Sequence, residues 1–118
     1  MKRGEIWIVS GGKDYAGKAR PVAIIQDNNF DGTDSVTICP CTTDRTNAPI
    51  FRLEVIPDDR NGLRAACRLM VDKITTVPKA KVGACIGRLD DADVLRLNAA
   101  ILVFLGLAAP PRTSGRAD

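Results

Sequence analysis

Between Asp91 and Leu105 lies the one stretch of this chain that keeps a helical pattern; everything ahead of it is a succession of short β-rich runs. Asp90 stands at the N-cap with Asp93 three residues on, and Leu89 and Val94 occupy the staple positions around it. Gly106 falls where a left-handed residue closes a helix. The first turns are amphipathic, but residues 99–105 are apolar all round. The helix is therefore expected to be buried on more than one side, with a second subunit as the additional cover. Strands first and a single helix last predict a small, strongly curved antiparallel sheet or barrel with the helix packed on it.

The 118 residues suffice for one domain with one modest core. Residues 1–107 are expected to form that domain, with the helix at 91–105 and a flexible tail over 108–118. The strand candidates are residues 4–9, 22–26, 35–41 and 50–55, one or two within 66–77, and a last short one at 81–86. The run at 22–26 is apolar throughout and reads as a central strand covered on both faces. A long loop at 10–19 carries Gly11, Gly12 and Gly17 with Lys13, Asp14, Tyr15 and Lys18. No helix follows it, which excludes P-loop and dinucleotide-binding geometry and leaves the glycines as hinge and turn residues.

Ser35–Asp44 reads SVTICPCTTD, a strand that ends in two hydroxyls and a carboxylate. Alternation puts Val36, Ile38, Pro40 and Thr42 on one face and Thr37, Cys39, Cys41 and Thr43 on the other. Pro40 donates no backbone hydrogen bond, so either pairing weakens there or the strand sits at an edge.

Several function classes drop out by composition. The chain contains no histidine, which removes Ser-His-Asp and Cys-His catalysis and leaves no expected metal site. Cys39, Cys41, Cys67 and Cys85 match no zinc spacing and are expected to be small, buried free thiols. The longest apolar run is far too short to span a bilayer, and the N-terminus lacks the apolar core of a signal peptide. The expectation is therefore a cytoplasmic protein without a membrane partner. Net charge is only +3, but bases gather in residues 1–20 and 64–88, two segments that would favour a polyanion if the fold joined them.

What remains for chemistry is a set of groups at strand ends: Arg20, Thr42, Thr43, Asp44 and Asp72. Arg20 precedes one strand and Thr42 ends the next. In an antiparallel pair such residues are neighbours. A guanidinium beside a hydroxyl suits a phosphodiester, whose non-bridging oxygens gain charge in the transition state. Pairing of Arg20 with Asp14 or Asp44 at the surface fits the same residues.

The segments MKRGEIW at 1–7, GKARPV at 17–22, VTICPCTT at 36–43 and VDKITTV at 71–77 occur in the order seen in the MazF/PemK toxins, and the chain resembles that family from residue 1 to about 106. The resemblance implies a homodimeric SH3-like barrel with a C-terminal helix, acting as the toxin of a type II toxin–antitoxin pair. It also implies a cognate antitoxin as partner, and cleavage of single-stranded RNA with no cofactor or metal. Residue by residue, it makes Arg20 and Thr42 the catalytic pair. Lys13, Tyr15, Lys18, Thr43, Asp72 and Lys73 are the residues expected to contact RNA, with Tyr15 either stacking on a base or packing a lid. Asp72 matches an aspartate of some members, which place an arginine two residues earlier, where this chain has Met70, and a histidine in the first loop, where it has Lys13 or Asp14. The implied reaction is attack of a ribose 2′-hydroxyl on its own phosphate, giving a 2′,3′-cyclic phosphate and a 5′-hydroxyl. A gyrase-binding poison of the CcdB type and a non-cleaving RNA-binding barrel are the alternatives. The absence of aromatic residues after Phe104 counts against the first, and the scarcity of aromatics against the second.

Overall fold

The computed structural model describes residues 1–10, 19–44 and 51–110. Within them lie seven strands and one α-helix: β1 (Glu5–Val9), β2 (Arg20–Ile24), β3 (Ser35–Thr42), β4 (Arg52–Val55), β5 (Cys67–Met70), β6 (Thr75–Pro78), β7 (Val82–Arg88) and α1 (Asp91–Phe104). All pairings are antiparallel, in the order β4-β5-β3-β2-β1-β7, with β6 also paired to β3. The result is a barrel-like sheet with a C-terminal helix against it. Among the described residues, no helix is long and apolar enough to cross a membrane.

The alternation expected of β3 is what builds the interior. Cys39 and Cys41 join Ile6, Ala23, Leu53, Leu69 and the helix residues Leu97 and Ala100 in one cluster; Val36 and Ile38 join Val9, Val22 and Ile24 in another, across the sheet. Both β2 and β3 are thus covered on both faces, as expected for residues 22–26. The strand itself is shifted, however: β2 begins two residues early, because Arg20 and Pro21 already pair with Val9 and Ile8 of β1.

Pro40 is accommodated by a change of partner. One flank of β3 pairs with β2 over Ile38–Pro40. The other pairs with β6 over Ser35–Ile38 and with β5 over Cys41–Thr42, so Cys39 and Pro40 fall between the two partners. The Ile25 amide donates to the Thr37 carbonyl. Counting on in alternating pairs, the N–H that Pro40 lacks would point away from β2, toward that break. A central strand therefore carries a proline without losing a ladder bond.

Helix α1 starts where the cap signals put it. The Asp90 carboxylate accepts from the Asp93 amide at 2.7 Å, and Leu89 is buried beside Val94 in the main cluster. It ends in a Schellman turn: Gly106 has φ +77°, its amide donates to Val103, and that of Leu107 donates to Leu102. Burial of residues 99–105 on more than one side does not occur within the chain. The sheet covers a single stripe, Leu97 and Ala100, and leaves Leu95, Leu102, Phe104, Leu105 and Leu107 exposed. Burial of all four cysteines needs correction. Cys39, Cys41 and Cys67 are buried free thiols, but Cys85 lies exposed on β7. The first loop and most of the expected tail fall outside the described residues.

Candidate active site

The β2–β3 register converts the strand-end residues into a site. Val22 pairs with Pro40, Ala23 with Cys39 and Ile24 with Ile38. Continued by one side-chain repeat, the same register sets Arg20 across from Thr42, on the same face of the sheet. Both are half-buried, and both line a cleft of about 570 Å³ at this end of the barrel. Because each belongs to a paired strand rather than a loop, their relative position is held by backbone ladders on two sides.

A turn just past the end of β3 fixes Thr42 further. Its Oγ1 accepts a hydrogen bond from the Asp44 amide at 3.1 Å, which orients the side chain and leaves the hydroxyl proton to be donated. Thr43, one residue past the end of β3, is exposed and borders, with Thr42 and Asp44, a neighbouring hollow of about 220 Å³. The two hydroxyls are therefore not equivalent, and only Thr42 shares the cleft with Arg20.

Besides Pro40, Cys41 and Asp44, the rest of the lining comes from β4, β5, the turn after it and the start of β6. Lys73 belongs to a single 3-10 turn, Val71–Lys73, and borders the cleft with Thr75 and Met70. Arg52, which the sequence reading did not single out, comes in from β4. Its Nε donates to Asp72 Oδ1 at 2.7 Å and its Nη2 to Oδ2 at 2.9 Å, a side-on, two-bond grip with both side chains mostly buried. The Val71 amide donates to the Phe51 carbonyl at 2.9 Å, which sets the turn beside the start of β4 and brings the two charges together. The Arg52 hydrogen bonds hold the Asp72 carboxyl below its ordinary range, and the same contact pushes the Arg52 guanidinium further up. Asp72 thus turns both oxygens to Arg52 and is not itself part of the lining. The only sequence signal for Arg52 was a base at an alternating position of a predicted strand, with nothing nearby to mark a partner twenty residues on.

Two thiols lie beneath this surface. Contact with Cys67 and then burial push the Cys41 thiol well above its usual value; burial pushes that of Cys39 up to about 12. Neither is a nucleophile at neutral pH. Among the described residues, no three His, Cys, Asp or Glu side chains converge as metal ligands. Lys13, Tyr15 and Lys18 lie outside the described residues.

Arg20, Arg52 and Lys73 thus border one cleft, with Asp44 as the carboxylate in its lining. With a hydroxyl donor opposite Arg20, this is a small helix-capped β barrel whose open end suits a phosphate-bearing polyanion. Comparison with known proteins agrees. Residues 2–105 match the family described as PemK-like, MazF-like toxin of type II toxin-antitoxin system, and the chain belongs to that family. It is 46% identical over 108 residues to the "Probable endoribonuclease MazF" of Mycolicibacterium smegmatis, spanning 92% of this chain and 99% of that protein. Among solved structures it is similar to the Mycobacterium tuberculosis toxin MazF-mt6, with a TM-score of 0.75 at 28% identity over 88% of this chain and 98% of that one. It is also similar to an endoribonuclease in complex with its cognate antitoxin from a mycobacterial species, with a TM-score of 0.76 at 26% identity over 93% and 99% of the two chains.

Proposed function

We propose that this protein is the toxin of a type II toxin–antitoxin pair and acts as an endoribonuclease on single-stranded RNA, with Arg20 and Thr42 as its catalytic residues. The observation that carries the site is the register placing Arg20 across from Thr42 at a cation-lined cleft. The family and the endoribonucleases it resembles support the activity.

The reaction is transesterification. The ribose 2′-oxygen forms a bond to phosphorus as its proton departs, and the bond from phosphorus to the 5′-oxygen breaks. The leaving oxygen takes up a proton, so the products are a 2′,3′-cyclic phosphate and a 5′-hydroxyl. Arg20 neutralises charge growing on the non-bridging oxygens, and the Thr42 hydroxyl donates to one of them. Arg20 offers hydrogen-bond donors and no acceptor, so it acts electrostatically and not as the base. Neither group calls for a metal or cofactor.

Homodimerisation belongs to the same reading, supported by the exposed apolar helix residues Leu95, Leu102, Phe104 and Leu105, which a second copy would cover. So do a cognate antitoxin, a cytoplasmic location and RNA contacts by Lys73, Thr43 and the first-loop residues Lys13, Tyr15 and Lys18.

The test is incubation of the purified protein with a long RNA in EDTA, followed by mapping of the ends. Cuts bearing 5′-hydroxyls are expected, with Arg20→Ala slower by about 10²–10³-fold. Intact RNA would sink the nuclease reading in favour of binding without cleavage. Full activity of a folded Arg20→Ala variant would remove Arg20 from the mechanism.

A further inference from the structure

Arg52 has a place in the cleft but no part in the transesterification. It enters from β4, which is separated from β3 by β5, so it borders the cleft on the side away from Arg20 on β2. Asp72 engages its Nε and Nη2 side-on, an arrangement that fixes the plane of the guanidinium and leaves the N–H groups of Nη1 uncommitted to the carboxylate. The turn does not hang on this pair alone, because the Val71 amide also ties it to the Phe51 carbonyl. Asp72 keeps its charge, but it lies behind Arg52 and outside the lining, so the cationic member of the pair is the one that faces the cleft. The outcome is an oriented, permanently charged fork at the cleft wall, in a cavity larger than one phosphate needs.

We infer that Arg52 forms a second phosphate subsite, which takes a phosphodiester next to the one held by Arg20 and Thr42, and that Asp72 is the positioning residue that aims it. The inference rests on the reading of the cleft as an RNA site. It gives Asp72 a role through Arg52 rather than a direct contact with RNA.

The test separates binding from cleavage. A random-sequence pool of 2′-O-methyl oligoribonucleotides, which lacks the attacking hydroxyl, is titrated with the protein in EDTA across a range of KCl concentrations. Arg52→Met/Asp72→Asn keeps the wild-type net charge, so any change reports the lost fork and not the overall field. It is expected to bind roughly 10-fold more weakly, the lower end for a charge-assisted contact at a partly open site. The slope of log affinity against log salt should shrink by about 0.7, the value for one phosphate contact on a single strand. Asp72→Asn alone, with the cation present but unaimed, should fall between. A folded double variant with unchanged affinity and slope would overturn the subsite.

Arg52→Lys supplies an independent measurement on a cleavable RNA, because it keeps the charge and loses the fork. A several-fold rise in KM with kcat kept is expected. A fall in kcat at unchanged KM would move Arg52 to the reacting phosphate and refute the assignment. Failure of the nuclease reading looks different: wild type leaves long RNA intact while the pool still shows the loss of slope.

Discussion

Replacing Asp72 by Asn tests whether the Arg52–Asp72 pair also carries stability. The perturbation removes one charge and leaves shape nearly unchanged. Breaking a fully buried ion pair costs about 3–5 kcal/mol, whereas an exposed pair is worth about 0–1 kcal/mol. With side chains 12% and 22% exposed and two short hydrogen bonds, this pair lies between those limits, at about 2 kcal/mol. For a chain of this size that corresponds to a Tm about 8 °C lower at fixed protein concentration. A double-mutant cycle with Arg52→Met isolates the coupling, expected at about 1.5 kcal/mol, because the double variant no longer leaves a lone buried charge. The pH dependence supplies the sign. Arg52 depresses the folded-state pKa of Asp72, so the stabilisation is complete above the unfolded-state value, about 3.9, and is lost as pH falls through the lower folded-state value. Urea unfolding of wild type and Asp72→Asn from pH 7 downward should therefore show a constant gap that closes only in acid below about pH 4. A gap that persists there, or a coupling under about 0.5 kcal/mol at pH 7, would refute the energetic reasoning.

Three further outcomes test other parts of the molecule. A Cβ on Gly87 would lie 2.2 Å from the Arg60 carbonyl oxygen and 2.4 Å from the Asn61 carbonyl carbon, both backbone, so Gly87→Ala should cost about 3 kcal/mol through strain and the displaced Arg88–Arg60 bond; a melting curve like that of wild type would contradict the close approach. Asp90→Ala removes the N-cap of α1 and should cost about 1 kcal/mol in denaturant unfolding with RNA cleavage by folded protein unchanged, whereas Asp91→Ala at an exposed site should cost much less. Thiol titration of the native protein should label Cys85 at once and reach Cys39, Cys41 and Cys67 only on unfolding, and rapid labelling of a second site would expose an error in the core.

The Arg20–Thr42 pair was legible because each member sits in a contiguous strand and adjacent antiparallel strands align their near ends. Alternation along Ser35–Thr42 and the cap signals around Asp90 could be read for the same reason: each depends on residues close in sequence. Pro40 allowed two readings, and which applies depends on where β6 stops and β5 begins, which no local pattern encodes. Arg52 was invisible because its role comes from the β4–β5 register and a 3-10 turn twenty residues away. The composition of residues 99–105 asks for cover on several sides; one chain's sheet supplies it on one and leaves the rest to the second subunit expected from the sequence. Cys85 failed the general expectation for thiols because β7 ends the strand order and presents an open face.

Arg52 and Met70 are direct cross-strand partners in the β4–β5 ladder. Their Cβ atoms therefore stand on the same face, about 4.5–5.5 Å apart. A guanidinium rooted at either position starts from nearly the same point in space, although the two are far apart along the chain. For Asp72 the source of its arginine is then interchangeable: two residues upstream at the end of β5, or directly opposite that position on β4. A search for this pair by fixed spacing along the sequence would pass over chains built like this one. A search by ladder position would find both kinds.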